Sequence, residues 1–456
     1  MQAAADGSLP SEAETEEYFS PPLPLLPGTL IYAATQPFAD SPAMNPPNDE
    51  AFLSSWLYYN FLSSLDDFPL SLAGKATQLL NVLYSLVSTW LLLAIAVRLR
   101  PQPIHFRTLA LGILGMLPLY YKTFAMVLAE PLMFLLVLLG AYWLLPLFDA
   151  GGLTWRRAAA LGAVAGLGML TRQWFVSVAL VLGLGVAVAA YQQRLDWRRA
   201  LLAVSSFALV ALALALPFYL YLQVNAGSAL AFNLEAEDSQ AGYELAYYFT
   251  LVDDETFTNP VRNAMGSQFI PILYSETWGD YWAYFVVWGR DLDSGRYVYG
   301  LYLDDRLLNA QAAAGEAPTL ETNRFEIEGY LGRVNAVSLL PSAILLAGFA
   351  WGLVYLSRAA RARWADPALV PWALFALIVL VSVSVLLAFL AVYLPQDATM
   401  AKASYVLHIF PFLGLFAADL LVRVRARYPR TFAVVVLLLM LVALHNLPML
   451  FSRQVL

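Results

Sequence analysis

The chain has 456 residues, of which 60% are hydrophobic and only 13% charged, against about 25% charged in a typical water-soluble domain. Its net charge of -7 is concentrated: residues 1–70 hold ten Asp or Glu and no Lys or Arg, and residues 224–333 hold seventeen acids against six bases. These numbers argue against a nucleic-acid partner on the outer side, where no basic surface is available. The absence of cysteine excludes a disulfide framework or thiolate metal site, and His105, His408 and His445 are too far apart in sequence to suggest a histidine zinc site.

The start, MQAAADGSLPSEAETEEYF, has neither the basic region nor the apolar core of a signal peptide. Prolines at 21, 22, 24 and 27 then break the chain, leaving GTLIYAAT as the part able to form helix. Residues 48–65 carry apolar and aromatic residues at helical spacing and read as an amphipathic helix on a membrane surface. Apolar spans follow at about 77–97, 108–121, 124–147, 158–171, 173–191, 200–223, 336–357, 370–394, 403–422 and 431–451. Two, 108–121 and 158–171, are short for roughly 30 Å of hydrocarbon. They read as halves of tight hairpins turning at Tyr120–Thr123 and Thr171–Gln173. The excursion 224–333 is dense in Tyr, Trp and Asp and long enough for a small subdomain.

The connections between spans alternate between Arg-rich and Arg-poor. The rich set holds Arg98, Arg100 and Arg107; Arg156 and Arg157; Arg194, Arg198 and Arg199; Arg358, Arg361 and Arg363; Arg423, Arg425, Arg427 and Arg430. The positive-inside rule puts that set in the cytoplasm and both termini with the large loops outside. The expected fold is therefore an all-α polytopic membrane protein of about ten transmembrane helices. Nothing in residues 1–70 is long enough to carry that acidic segment across, so either an eleventh helix is expected upstream of residue 1 or the short acidic tail translocates with the first span. Four segments result: an outer-face loop with surface helices (1–70), a transmembrane core of about six helices (71–223), an outer-face loop domain (224–333) and about four C-terminal helices (334–456).

Charges that depart from this pattern are candidate functional residues. Lys75, Lys122, Arg172 and Lys402 map to the outer ends of spans. Snorkelling explains any one of them; the four together suit an anionic lipid phosphate. Glu130, followed by Pro131, lies in the outer part of a span and would either pair with Lys122 or Arg172 or face a substrate. Asp419 stands at i−4 from Arg423 and reads as a helix-surface pair, and His408 as a packed interior residue. Asp49 and Glu50 precede the surface helix, as a general base for an acceptor hydroxyl or as a simple N-cap. Glu276 and Asp280, in SETWGDYW with Trp278 between them, compete for the same role. An aromatic face beside carboxylates suits a sugar ring, and equally an aromatic belt at the headgroups.

LPLYYKTFAMVLAEPLMFLLVLLGAYWLL (117–145) resembles the proline, short turn and Glu-Pro helix of the GT-C superfamily of membrane glycosyltransferases. The nearest group is the bacterial enzymes similar to protein O-mannosyltransferases and the lipid A aminoarabinose transferase. AAALGAVAGLGMLTRQWFVSVAL (158–180) is similar to that family's Gly-rich helix and Thr-Arg turn. YFSPPLPLLPG (18–28) resembles the segment after its catalytic loop, and KASYVLHIFPFLGLF (402–416) its late basic-then-Tyr stretch. The resemblance implies transfer of a sugar from a polyprenyl-phosphate donor to a glycan, lipid or protein acceptor outside a bacterial inner membrane. It implies an acidic base in the first outer loop and phosphate contacts from Lys122, Arg172 and Lys402, with Glu130 as the Glu of the Glu-Pro helix.

The family's Asp or Asp-Glu precedes its Pro-Pro-Leu segment; here Glu12, Glu14, Glu16 and Glu17 stand there, and Asp49-Glu50 comes after. The base is therefore sought among Glu16, Glu17, Asp49 and Glu50. No cofactor is demanded, although loop acids could hold Mg²⁺ or Mn²⁺. Two rival readings remain: a non-catalytic subunit of an envelope complex derived from such an enzyme, and a lipid or small-molecule transporter.

Overall fold

A computed structural model describes residues 21–35, 68–229, 245–291, 297–299, 320–393 and 401–451, apart from a few positions within those stretches. The acids at 16, 17, 49 and 50 and the surface helix at 48–65 lie outside the described residues.

Among the described residues, long runs of Leu, Ala and Val form most of the helices. Seven are long and apolar enough to cross a membrane: Ala76–Leu99, Glu130–Phe148, Phe175–Gln192, Trp197–Asn225, Gly329–Arg361, Val370–Ala391 and Ala403–Arg427. Ile104–Gly115 and Pro429–His445 are shorter apolar helices. Large apolar side chains stand outward on them, Leu86 at 62% exposure and Leu209 at 66%. That would be costly in water and is natural in hydrocarbon, where the helix satisfies its own backbone groups. The chain is an integral membrane protein.

The residues fall into two compact units, each built from three separated stretches. The first comprises residues 1–99, 123–233 and 355–382. Here helix Trp155–Met169 packs against Trp197–Asn225 at backbone contact: a Cβ on Gly162 would lie 2.3 Å from the Phe207 carbonyl oxygen. Phe68–Leu99 packs on Glu130–Leu144, and Asn81 Nδ2 donates 2.7 Å to the Met126 carbonyl. Tyr219 donates 3.1 Å to the Met169 carbonyl, at the expected turn 171–173, which is present.

The second unit comprises residues 100–122, 234–354 and 383–456. Ile104–Gly115 lies along Phe410–Arg427, whose Gly414 approaches the Ala110 carbonyl. Asp419 pairs with Arg423, but it is fully buried rather than on a helix surface, because it also pairs with Arg100 and accepts 2.8 Å from the Trp351 indole. His408 is buried, as a packed interior residue should be.

Two expectations change. The turn placed at Tyr120–Thr123 is instead helix, Pro118–Ala125. Pro118 cannot continue the preceding helix but suits a first turn, so the break falls at 116–117. And among the described residues the helices are joined by one small antiparallel sheet, with Tyr297–Tyr299 and Leu320–Thr322 flanking Trp288–Asp291. The Trp, Tyr and Val content of that stretch suits strands.

Candidate functional site

In the second unit the site grows from helix Phe269–Trp278 and what ends it. Gly279 closes the helix, its N–H donating 2.7 Å to the Ser275 carbonyl. A Cβ there would sit 2.8 Å from that same oxygen, so only glycine lets the chain fold back so closely. The reversal returns Asp280 alongside the helix end. Ala283, at φ 57°, donates 2.8 Å to the Asp280 carbonyl, and the Val286 N–H donates 2.9 Å to Asp280 Oδ2.

Lys122 enters this loop from helix Pro118–Ala125. Its ammonium donates to the Gly279 carbonyl and lies 3.3 Å from Asp280 Oδ1. Both side chains are buried, at 10% and 3% exposure. Burial pulls the Lys122 ammonium below its ordinary range, and the Asp280 charge beside it opposes that shift. Lys122 and Asp280 thus hold each other and the 280–286 loop.

Glu276 is half-buried one turn earlier on the same helix. Its Oε2 accepts from the backbone N–H of Ala403, the first residue of the 3₁₀ helix Ala403–Ile409. Lys402 immediately precedes that helix and keeps partial exposure. Its Nζ stands 5.7 Å from the centroid of the Trp282 ring, a cation over an aromatic face. Burial pushes the Glu276 carboxyl up to about 7; the Ala403 and Ser404 N–H groups, Trp282 and the Lys402 charge oppose it. The result is an acid that titrates near neutrality beside an ammonium and an aromatic wall. Such a group can take or hold a proton at physiological pH.

Trp278 corrects an expectation. It is 2% exposed and its indole donates 2.7 Å to Ser342 Oγ, so its ring is packed rather than offered to a sugar. Trp282, four residues on and also buried, is the aromatic that faces the Lys402 ammonium.

In the first unit Glu130 opens helix Glu130–Leu144, where a carboxylate favours the helix N-terminus. Its Oε1 lies 3.0 Å from Arg172 Nη2, at 4% and 18% side-chain exposure. Of the two partners expected for Glu130, Arg172 is the one found. Among the described residues no three His, Asp or Glu converge as a metal site.

Sequence reading singled out Glu276, Asp280, Lys122 and Lys402 individually. It missed Trp282 and the Ala403 N–H, and it did not join residue 402 to residue 276. The joining contact spans 127 residues of chain, and no local spacing encodes it. The sequence has no significant match among protein-family models, curated proteins or solved structures.

Proposed function

We propose that the chain is a membrane glycosyltransferase of GT-C type, moving a sugar from a polyprenyl-phosphate donor to an acceptor on the outer face of a bacterial inner membrane. The family resemblance supplies the reaction class. The observation that carries the reading to residues is Glu276, raised to about 7 and set beside Lys402 and Trp282. In this reading the chain crosses the bilayer about ten times, Arg-rich connections in the cytoplasm, with residues 224–333 outside.

The chemistry is one displacement with inversion. The acceptor hydroxyl oxygen attacks the anomeric carbon. The bond from that carbon to the donor phosphate oxygen breaks, and its electron pair leaves with the phosphate. The hydroxyl proton passes to the Glu276 carboxylate, whose raised pKa suits a general base near neutral pH. In this reading Lys402 stabilises the charge developing on the leaving phosphate. Trp282 supplies an aromatic wall to that ammonium. Lys122 and Arg172, engaged by Asp280 and Glu130, act by holding the loop and the helix start.

The test is Lys402→Gln in a transfer assay with radiolabelled polyprenyl-phosphate sugars. Loss of one charge contact to the leaving group should lower transfer by roughly 10²–10³-fold. Unchanged transfer would remove Lys402 from the site. If neither the wild type nor any variant releases sugar from any donor, the non-catalytic envelope subunit becomes the better reading.

A further inference from the structure

The sequence Leu153-Thr154-Trp155-Arg156-Arg157-Ala158 recurs almost unchanged as Leu195-Asp196-Trp197-Arg198-Arg199-Ala200. Both copies open helices of the first unit, Trp155–Met169 and Trp197–Asn225. Both starts are capped: Thr154 Oγ1 accepts 3.3 Å from the Arg157 N–H, and Asp196 Oδ1 accepts 3.0 Å and 3.1 Å from the N–H groups of Arg198 and Arg199.

The two helices run in the same direction. The Cβ position of Gly162 meets the Phe207 carbonyl oxygen, and that of Gly166 meets the Ala211 carbonyl oxygen at 2.8 Å. Four residues forward on one helix thus match four forward on the other. The offset of 45 puts Trp155 level with Ala200, so Trp197 lies about 4.5 Å farther along the axis at 1.5 Å per residue. Both Trp-Arg-Arg triplets therefore share one end of this unit.

Trp155 is 50% exposed, Trp197 is 70% exposed, and all four arginines are exposed. Arg156 stacks over Trp155 and Arg198 over Trp197, each at 5.4 Å. Arg194 is exposed just before the second copy. Against these cations, Asp196 pairs with Arg199 at 3.2 Å, and Arg157 also donates 2.8 Å to the Gly152 carbonyl. The surplus is strongly positive, and an exposed indole lies under a guanidinium in each copy.

We propose that this paired Trp-Arg-Arg surface binds anionic phospholipid headgroups. Guanidinium groups engage the phosphodiester, and the indoles seat at the boundary with the acyl chains. The inference needs only membrane insertion and is independent of the proposed transfer activity.

The full chain, purified in detergent, would be equilibrated with equal amounts of phosphatidylglycerol and phosphatidylcholine and its retained lipids counted by native mass spectrometry. Phosphatidylglycerol should be favoured several-fold. Each arginine replaced by Gln should lower that preference, and R156Q/R157Q/R198Q/R199Q should lose it. Trp155→Leu with Trp197→Leu, both at exposed positions, should weaken retention while leaving the melting temperature unchanged. Equal retention of the two lipids by the wild type would overturn the proposal. So would an undiminished preference in both variants, or displacement of phosphatidylglycerol by excess inorganic phosphate.

Discussion

Replacing Lys122 by Met should strand the buried Asp280 charge and destabilise the second unit severely. The two groups are 3.3 Å apart with side chains 10% and 3% exposed. At an effective dielectric of about 20, Coulomb's law gives an attraction of about 5 kcal/mol at that separation. Breaking one side of a buried pair costs about 3–5 kcal/mol, because the remaining charge has no compensation. Asp280→Asn alone should cost less, since burial already pulls the Lys122 pKa down and the ammonium can shed its proton. Combining Lys122→Met with Asp280→Asn removes both charges yet keeps a side-chain oxygen for the Val286 N–H. That variant should recover most of the loss, leaving about 1 kcal/mol. The assay is tryptophan fluorescence against rising denaturing detergent, giving the four corners of a double-mutant cycle. A double variant as unstable as Lys122→Met alone would refute the reasoning.

Gly162→Leu should separate the two helices it joins, at a cost of about 1–3 kcal/mol. Gly112→Ala, whose Cβ meets nothing within 4 Å in a helix interior, should instead stabilise by about 0.5–1 kcal/mol; thermal melts in detergent separate the two. Asp419→Asn should cost about 1.5–3 kcal/mol by weakening its bonds to Arg423, Arg100 and Trp351, read by the same melts. Glu276 makes stability depend on pH with a definite sign. Its carboxyl rises from an ordinary 4.5 to about 7 on folding, so between those values the folded chain binds the extra proton. Stability should therefore fall as pH rises from about 4.5 to about 7 and level off outside that window. Glu276→Gln should flatten that part of the profile.

The helices were legible because hydrocarbon asks for long apolar runs and the chain provides them. The span at 173–191 appears as Phe175–Gln192 and that at 200–223 as Trp197–Asn225. Where sequence and structure part, the cause is local competition. Pro118 restarts a helix where YYKT was read as a turn, and Trp288–Asp291 finds strand partners within the stretch read as a small subdomain. Charges out of pattern pointed to Lys122, Glu130, Arg172 and Lys402, and the Glu130–Arg172 pair was among the alternatives read from sequence. The Lys122–Asp280 pair and the approach of Ala403 to Glu276 were not, because each joins segments more than a hundred residues apart and periodicity is blind to such closures.

The most direct measurement is release of radiolabelled sugar from a polyprenyl-phosphate donor by the full chain in membranes, wild type against Glu276→Gln. Release by the wild type should rise with pH through about 7 and fall by roughly 10²–10⁴-fold in the variant. Equal release by both proteins would contradict the assignment of Glu276 as the base. No release by the wild type from any donor would contradict the proposed activity itself.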